Sequence, residues 1–200
     1  MFRINPEFRL STPYISLKWH LVDLFAVQCR AATPAELRYT FFYKKVVQVA
    51  ISYNGDTIDA YYHAATNFDV RGFQKWLRER FRDIIFHVAD SVLPERVRYW
   101  ENLYDMHGSG VEVKRLRNRV LGCCSVDNFI SLQPFLILMK AEWVDEVILH
   151  EIAHYVHKNH RKPFWDLLTK LLGHDARRAR RARNEGITPF YPYYLFLTRK

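Results

Sequence analysis

Four of the nine histidines of the chain lie between positions 150 and 160, in the segment His150-Glu151-Ile152-Ala153-His154-Tyr155-Val156-His157-Lys158-Asn159-His160. Residues four apart on an α-helix share one face, so His150 and His154 can direct two imidazoles at one metal ion. Glu151 then lies beside that ion, where its carboxylate can reach a water molecule without coordinating the metal. This H-E-x-x-H arrangement is typical of hydrolases in which zinc lowers the pKa of water and the glutamate takes the proton. We therefore expect one Zn²⁺ per chain, with Glu151 as the general base.

A catalytic zinc ion needs a third protein ligand and an open position for water. His160, which follows the motif, is the preferred candidate, provided that the helix ends before it. Asn159 is a residue type that tolerates the left-handed turn at a helix end, and such a turn would bring His160 back to the metal. The carboxylates that could replace it, as weaker candidates, are Asp166, Asp175 and Glu185.

His157 is the rival for the third position. It shares a face with His150 and His154, but on a continuous helix it would lie about 10 Å along the axis from His150. One zinc ion with bonds of about 2 Å does not easily bridge that span. We therefore expect His157 to be a neighbour of the ligands or a surface histidine. With Tyr155, it is also a candidate for stabilising the oxyanion of the reaction.

The surrounding pattern predicts the helices that position these residues. From Glu142 onward, apolar residues recur at helical spacing and acidic residues occupy the first turns, as the helix dipole prefers. Pro163 is well placed to start a second helix, which we extend to Arg183. Earlier in the chain, residues 70–92 have helical periodicity, and Pro94 predicts the start of a separate helix.

Strand-like segments precede each helical region. Residues 37–63 are rich in Tyr, Phe, Val and Thr, and Asn54-Gly55 within them predicts a β-hairpin. Residues 111–116 alternate as a half-buried strand does, and residues 128–138 predict another strand. The order of strands, helices, strands and helices predicts an α+β fold.

These motifs together resemble the YgjP-like metallopeptidase domain family and, more distantly, SprT-type and other minimal zincins. The resemblance rests on His150-Glu151-x-x-His154, Asn159-His160 and Phe164-Trp165, with Asn128–Leu132 as the strand before the zinc helix. The segment from Pro94 to Trp100 and the arginine-rich segment after Leu172 are also similar. One segment departs from the family: Leu121-Gly122-Cys123-Cys124 stands where a W-G-S-C turn is usual.

The resemblance implies a small zincin-like domain in which the H-E-x-x-H helix packs on an antiparallel sheet, preceded by a β-hairpin and helices. It also implies zinc bound by His150, His154 and His160, with Glu151 as the catalytic base. Residues 94–185 form the metallopeptidase-like domain in this interpretation. Residues 1–93 are a hairpin and helix region of the same fold, and residues 186–200 form an aromatic tail that packs back onto the body. Phe164 and Trp165 are expected to support the loop that carries His160.

The leading functional hypothesis is a metallopeptidase acting on a peptide or protein. In zincin-like folds, a strand beside the metal helix pairs with an extended peptide, and residues 128–132 are our candidate for that strand. A metal-dependent hydrolase of nucleotides or other phosphate esters is the alternative, although no glycine-rich phosphate loop supports it. A third hypothesis is a nucleic-acid-associated protein with a structural zinc ion, although such sites commonly have four ligands that include cysteine.

The charge of the chain makes nucleic acid a possible partner. There are 30 Lys and Arg against 21 Asp and Glu, a net charge of +9, so polyanions are suitable partners. The excess is concentrated in a segment that either binds nucleic acid or is a solvated helix end. The arginines of this segment are Arg177, Arg178, Arg180, Arg181 and Arg183.

The cysteines and the absence of an apolar segment of membrane-spanning length predict a cytoplasmic protein. Cys29, Cys123 and Cys124 are odd in number and lack the spacing of a disulfide framework. Adjacent cysteines are also a poor zinc motif, because zinc sites favour a spacer between ligands. The start of the chain lacks the pattern of a secretory signal, and we expect no membrane partner.

Overall fold

Strands and helices of the computed structural model form an α+β fold, as predicted, over residues 3–23, 37–43, 46–117 and 119–198, which are the residues described here. The chain divides into two compact units, Met1–Ile84 with Leu195–Lys200, and Ile85–Tyr194. The residues predicted to do chemistry all belong to the second unit. Cys29 lies outside the described residues. Among the described residues, no helix combines the length and apolar character needed to cross a membrane.

A four-stranded sheet belongs to the first unit. Its order is β1 (Ser16–Leu21), β4 (Thr57–Tyr62), β3 (Val46–Asn54) and β2 (Leu37–Tyr43), with β1 parallel to β4 and the other pairs antiparallel. Strands β3 and β4 form the predicted hairpin, and Gly55 adopts φ of 70° in its turn. That left-handed conformation favours glycine, so Asn-Gly was a reliable signal here.

A single long helix, α1 (Arg71–Tyr104), replaces the two helices predicted on either side of Pro94. Proline lacks the N–H that bonds to the carbonyl four residues earlier, and it usually kinks or ends a helix. Here Ala89, Leu93 and Val97 are all buried, so one apolar face continues through the proline. The prediction of a separate helix was wrong because burial of this face outweighs the missing hydrogen bond.

A three-stranded sheet lies in the second unit, in the order β5 (Gly110–Val113), β7 (Phe129–Leu132) and β6 (Gly122–Cys124). Strand β7 pairs with β5 in parallel and with β6 antiparallel, so the sheet is mixed and the expected purely antiparallel sheet was wrong. Because β7 is paired on both sides, β6 and β5 are the edge strands among the described residues.

The strand predicted over residues 128–138 ends at Leu132, and Pro134–Leu138 form a short 3₁₀ helix instead. Every residue of that helix is buried. A short, fully buried apolar run does not reveal by its hydrophobicity whether it is a strand or a helix. Pro134 has no N–H to donate to a strand ladder, which is the signal that distinguishes the two.

Helices complete the second unit. The predicted H-E-x-x-H helix is α2 (Ala141–Ala153). The second predicted helix is two helices, α3 (Lys162–Leu172) and α4 (Ala176–Ile187). The break follows from Gly173, which has φ of 72° at the end of α3, and from Asp175, whose side chain accepts a hydrogen bond from the N–H of Arg178. These are ordinary helix stop and start signals, and the uninterrupted helix to Arg183 was wrong because they were overlooked.

The predicted aromatic tail contains helix α5 (Tyr191–Thr198). The ring of Tyr194 stacks on that of Phe135, with centroids 5.6 Å apart, and Tyr194 is buried. This part of the tail therefore packs back onto the protein, as predicted.

Candidate metal centre

The end of α2 determines the shape of the site. Helix α2 ends at Ala153, and His154 follows as its C-cap with ordinary right-handed dihedral angles. None of the described residues between His154 and His160 has a positive φ, so the left-handed turn expected at Asn159 does not occur. Instead, the side-chain oxygen of Asn159 accepts a hydrogen bond from the N–H of Arg161, at 3.2 Å. The chain turns back through successive tight turns after Ala153, several residues earlier than predicted.

Three imidazoles meet at this turn. One nitrogen from each of His150, His154 and His160 lies within 4.8 Å of the other two. The Nε2 atoms of His150 and His160 face each other at 2.9 Å. Nitrogen atoms this close suit a shared cation, which can accept a lone pair from each ring. The three side chains therefore form a group that could hold a divalent metal ion.

His157 acts on this group through its main chain. Its carbonyl oxygen lies 2.8 Å from Nδ1 of His154 and accepts a hydrogen bond when that nitrogen is protonated. A carbonyl in this position selects the imidazole tautomer whose Nε2 lone pair is free for a metal. The comparison of His157 with His160 as the third ligand assumed a continuous helix, but α2 ends before His157.

Tyr155 points its hydroxyl at a carboxylate outside the histidine cluster. It donates a hydrogen bond to Oε1 of Glu101 at 2.6 Å, and the same oxygen accepts one from the N–H of Gly108. Burial, and next the hydrogen bond to Glu101, raise the pKa of Tyr155. The side chain therefore joins the turn after α2 to helix α1 and the loop that follows it.

Aromatic residues at the start of α3 pack against the three histidines. Phe164 is fully buried, and its ring centroid lies between 4.5 and 4.9 Å from each of the three imidazole centroids. Trp165 donates a hydrogen bond from Nε1 to the carbonyl of His160, at 3.0 Å. The two aromatic residues thus hold the segment that carries His160, which is the role predicted for them.

Glu151 lies beside the three histidines and is buried, with 5% of its surface exposed. Strand β6 packs against it so closely that a Cβ atom on Gly122 would lie 2.9 Å from its Oε1. Burial raises the pKa of Glu151 to about 8, against the positive charges of Arg183 and Arg180, and the charge of Glu146 raises it further. The carboxyl group is thus held in place by packing and has a strong tendency to bind a proton.

The environment keeps the imidazoles neutral. Burial, followed by the charges of neighbouring histidines, lowers the pKa of His150 to about 2. Burial also lowers the pKa of His154 and of His160, and the positive charge of Arg180 contributes to the lowering at all three residues. Neutral imidazole is the form that binds metal ions, so these pKa values favour coordination.

A buried ion pair behind Glu151 was not predicted from the sequence. Nε of Arg183 lies 2.5 Å from Oε2 of Glu146, and the two side chains are 8% and 4% exposed. Their charges also act on Glu151. The signal in the sequence was spacing: Arg183 shares the buried face of α4 with Ala176 and Ile187, whereas we had grouped it with the solvated arginines.

The other arginines of α4 differ in their surroundings. The guanidinium groups of Arg177 and Arg180 lie over the ring of Trp165, 4.6 and 5.6 Å from its centroid. Arg177 is exposed and Arg180 is half-buried. Arg178 and Arg181 are exposed. The predicted basic segment is therefore divided between the surface and the metal centre.

A cleft of about 700 Å³ opens over the three histidines and Glu151. It is bordered by β6 and by α4. Both cysteines of β6, Cys123 and Cys124, line the cleft as free thiols. The cationic residues in its lining are Arg119, Lys158, Arg180 and Arg183.

A buried carboxylate beside three converging imidazoles is an arrangement typical of metal-dependent hydrolases. Residues 45–184 match the family described as YgjP-like, metallopeptidase domain. The chain therefore belongs to the YgjP-like metallopeptidase domain family, and the resemblance noted in its sequence is confirmed. Membership implies a divalent metal ion and a peptide or protein substrate.

The crystal structure of the metallopeptidase zymogen of Pyrococcus abyssi abylysin is similar to part of the chain. Its TM-score is 0.41 and its sequence identity 17%, over 47% of this chain and 94% of that one. No curated protein matches the chain.

Proposed function

We propose that the chain is a zinc-dependent metallopeptidase in which His150, His154 and His160 bind the metal and Glu151 is the general base. The observation that carries the proposal is the convergence of three imidazole nitrogens within 4.8 Å beside a buried carboxylate. Three nitrogen ligands and an open position suit catalytic zinc better than calcium or magnesium, which prefer oxygen ligands. Neither cysteine of β6 belongs to the converging group among the described residues.

Zinc bound in this way supplies a water of lowered pKa and polarises the carbonyl of the scissile bond. The remaining chemistry belongs to Glu151. Its carboxylate accepts the proton of the attacking water and delivers it to the departing amine. Burial raises the pKa of Glu151, and the nearby charges of Arg183 and Arg180 oppose that rise and so favour the ionised form that the first of these steps requires. Gly122 packs against this carboxylate, and because glycine has no side chain, Glu151 fits in the space beside it.

Strand β6 is the element that we propose binds the substrate backbone. An extended peptide can add to a free strand edge through main-chain hydrogen bonds. Our sequence candidate, residues 128–132, corresponds to β7, which lies in the middle of its sheet and has both edges occupied. Strand β6 is at an edge, and Gly122, Cys123 and Cys124 line the cleft.

The roles first suggested for His157 and Tyr155 change in this proposal. Neither residue belongs to the described lining of the cleft. The hydroxyl proton of Tyr155 is engaged by Glu101. We therefore assign both to positioning: His157 orients His154 through its carbonyl, and Tyr155 anchors the turn between His154 and His160.

The alternatives have less support. Family membership favours the peptide bond over a phosphate ester as the bond cleaved. For nucleic-acid binding, the exposed Arg177, Arg178 and Arg181 remain available, but Arg180 faces the metal centre. Binding to DNA or RNA at low salt that weakens steeply as salt increases would favour such a second role.

The test is metal content by mass spectrometry together with peptide cleavage. We expect about one zinc ion per chain, retained by Glu151→Gln with loss of cleavage, and weakly held by His160→Ala. His107→Ala is the control, because that histidine is exposed and does not belong to the converging group. Absence of metal from the zinc-supplied protein, or full cleavage by Glu151→Gln, would contradict the proposal.

A further inference from the structure

We infer that Arg180 binds a carboxylate of the substrate and so selects peptides that carry a negative charge close to the scissile bond. This inference rests on the proposed peptidase function. It comes from the placement of one guanidinium group in the cleft, and from the engagement of other cationic side chains there in contacts within the protein.

Arg180 is tied to the metal centre through one aromatic residue. Its guanidinium lies 5.6 Å from the centroid of the Trp165 ring, and Nε1 of Trp165 donates a hydrogen bond to the carbonyl of His160. The position of Arg180 is therefore coupled to that of a proposed ligand. Arg180 also lines the same cleft as the three histidines.

Two other cations of the cleft already have partners. Arg183 pairs with Glu146 inside the protein. The ammonium group of Lys158 donates to the carbonyl of Ser125 at 2.7 Å and to the side chain of Asn128 at 2.5 Å.

Arg119, the fourth cation, lies over the ring of Tyr191 at the exposed surface. Arg180, in contrast, is half-buried. Among the described residues, no carboxylate lies within ion-pairing distance of Arg180.

Stacking leaves the hydrogen-bonding capacity of Arg180 intact. A guanidinium contacts an aromatic ring with its flat face, whereas its N–H groups project in its own plane. Those donors can bind a carboxylate through two parallel hydrogen bonds. The one carboxylate in the described lining of the cleft is Glu151, against four cationic side chains, so the net charge of the lining is positive. A carboxylate from the substrate is the group that complements it.

That carboxylate has two possible sources, the C-terminus of a peptide or the side chain of Asp or Glu. We would measure binding to the zinc-loaded Glu151→Gln protein, which is expected to bind peptides without cleaving them. The probes are alanine-based peptides of equal length: one amidated and neutral, one with a free C-terminus, and one amidated with a single Glu. Tighter binding of the second or the third peptide identifies the source.

Arg180→Gln in the same background is expected to weaken binding of the preferred acidic peptide by about tenfold to a hundredfold, the range for a hydrogen bond to a charged group. Binding of the neutral peptide should change little. Arg177→Gln is the matched control, because Arg177 contacts the same indole but does not belong to the described lining of the cleft. Arg180→Lys, which keeps the charge but loses the two-pronged geometry, should fall between the parent and Arg180→Gln.

Equal affinity of the parent for all three peptides overturns the inference. An equal loss for neutral and acidic peptides in Arg180→Gln, or an equal loss in Arg177→Gln, also overturns it and assigns Arg180 to packing on Trp165. The peptidase proposal is judged separately. Zinc content and cleavage of the neutral peptide by the unsubstituted protein would leave that proposal standing even if carboxylate selection failed.

Discussion

The Cα atom of Gly122 faces the side chain of Glu151, and a Cβ atom there would lie 2.9 Å from both Cγ and Oε1 of the glutamate. Strand β6 therefore lies so close to the proposed general base that a side chain on Gly122 would collide with it. Glycine is required at this position by the close approach alone, because Gly122 does not have a positive φ. The edge strand that we propose binds substrate and the residue that we propose activates water are thus in direct contact.

Gly122→Ala should displace the carboxylate of Glu151 while leaving the metal ligands in place. A misplacement of about 1 Å in a catalytic group can lower activity by about a hundredfold. We expect kcat to fall by roughly this amount with zinc content unchanged, as measured by peptide cleavage and mass spectrometry. Gly72→Ala is the control, since no atom lies within 4 Å of the added methyl group. Normal kcat in Gly122→Ala would show that Glu151 tolerates displacement or has no part in the reaction.

His157→Ala should retain zinc, in contrast to His154→Ala. The contact between His157 and Nδ1 of His154 is made by the main-chain carbonyl, which alanine also provides. His154→Ala removes a proposed ligand, and its zinc affinity should fall by at least tenfold, as expected for the loss of a metal ligand. Titration with a competing chelator measures both affinities. Equal loss of affinity in the two variants would make the His157 side chain a ligand and contradict the site described here.

Glu146→Ala should destabilise the protein strongly. It leaves the guanidinium of Arg183 buried without its ion-pair partner, a change that typically lowers the free energy of unfolding by about 3–5 kcal/mol. The double variant Glu146→Leu with Arg183→Met removes both charges and should recover most of that loss. Lys162→Ala provides the comparison, because its pair with Asp166 is exposed and should contribute less than about 1 kcal/mol. Urea unfolding measures each value, and a double variant no more stable than Glu146→Ala would refute this account.

The stability of the metal-free protein should depend on pH through Glu151. Burial raises its pKa from 4.5 to about 8, so the folded protein holds this proton more tightly than the unfolded chain does. The resulting stabilisation is fully present below pH 4.5 and is lost as pH rises through about 8. Glu151→Gln carries no charge at any pH. It should therefore raise the free energy of unfolding, relative to the parent, more at high pH than at low pH.

Urea unfolding in the presence of a chelator, at about pH 5 and about pH 9, tests this difference. Glu185→Gln is the control, because Glu185 is exposed. An effect of Glu151→Gln that is the same at both pH values would mean that the carboxyl is hydrated in the folded protein.

The parts of the site that were predictable from the sequence are those determined by local geometry. His150 and His154 are four residues apart on a helix, so their proximity follows from helical periodicity. His160 was selected for a sound reason, since the helix had to end first, but the turn was placed at the wrong residue. The helix ends at Ala153, and no described residue of the turn has a positive φ, so no residue type in the sequence predicts its position.

The parts that were missed depend on contacts between distant segments. The proximity of Gly122 and Glu151 requires β6 to pack on α2, and no spacing within either segment predicts it. Arg183 belongs to a run of arginines whose composition indicates solvent exposure, yet its position on the buried face of α4 places it against Glu146. Pro94 shows the reverse case, because long-range packing preserved a helix where a local rule predicted its end.

Because of the turn after Ala153, a bound metal ion would restrain the backbone as well as take part in the chemistry. Two of the proposed ligands lie at the end of α2, and the third precedes α3, so a bound ion cross-links two helices across a loop of only a few residues. Removal of the ion restores to that loop the conformational freedom that closure had taken away. Amide hydrogens between Tyr155 and Arg161 should then exchange faster, because local opening no longer requires metal release. Trp165 is hydrogen-bonded to the carbonyl of His160 and its ring lies against the guanidinium of Arg180, so loosening of this loop also loosens the proposed carboxylate-binding residue.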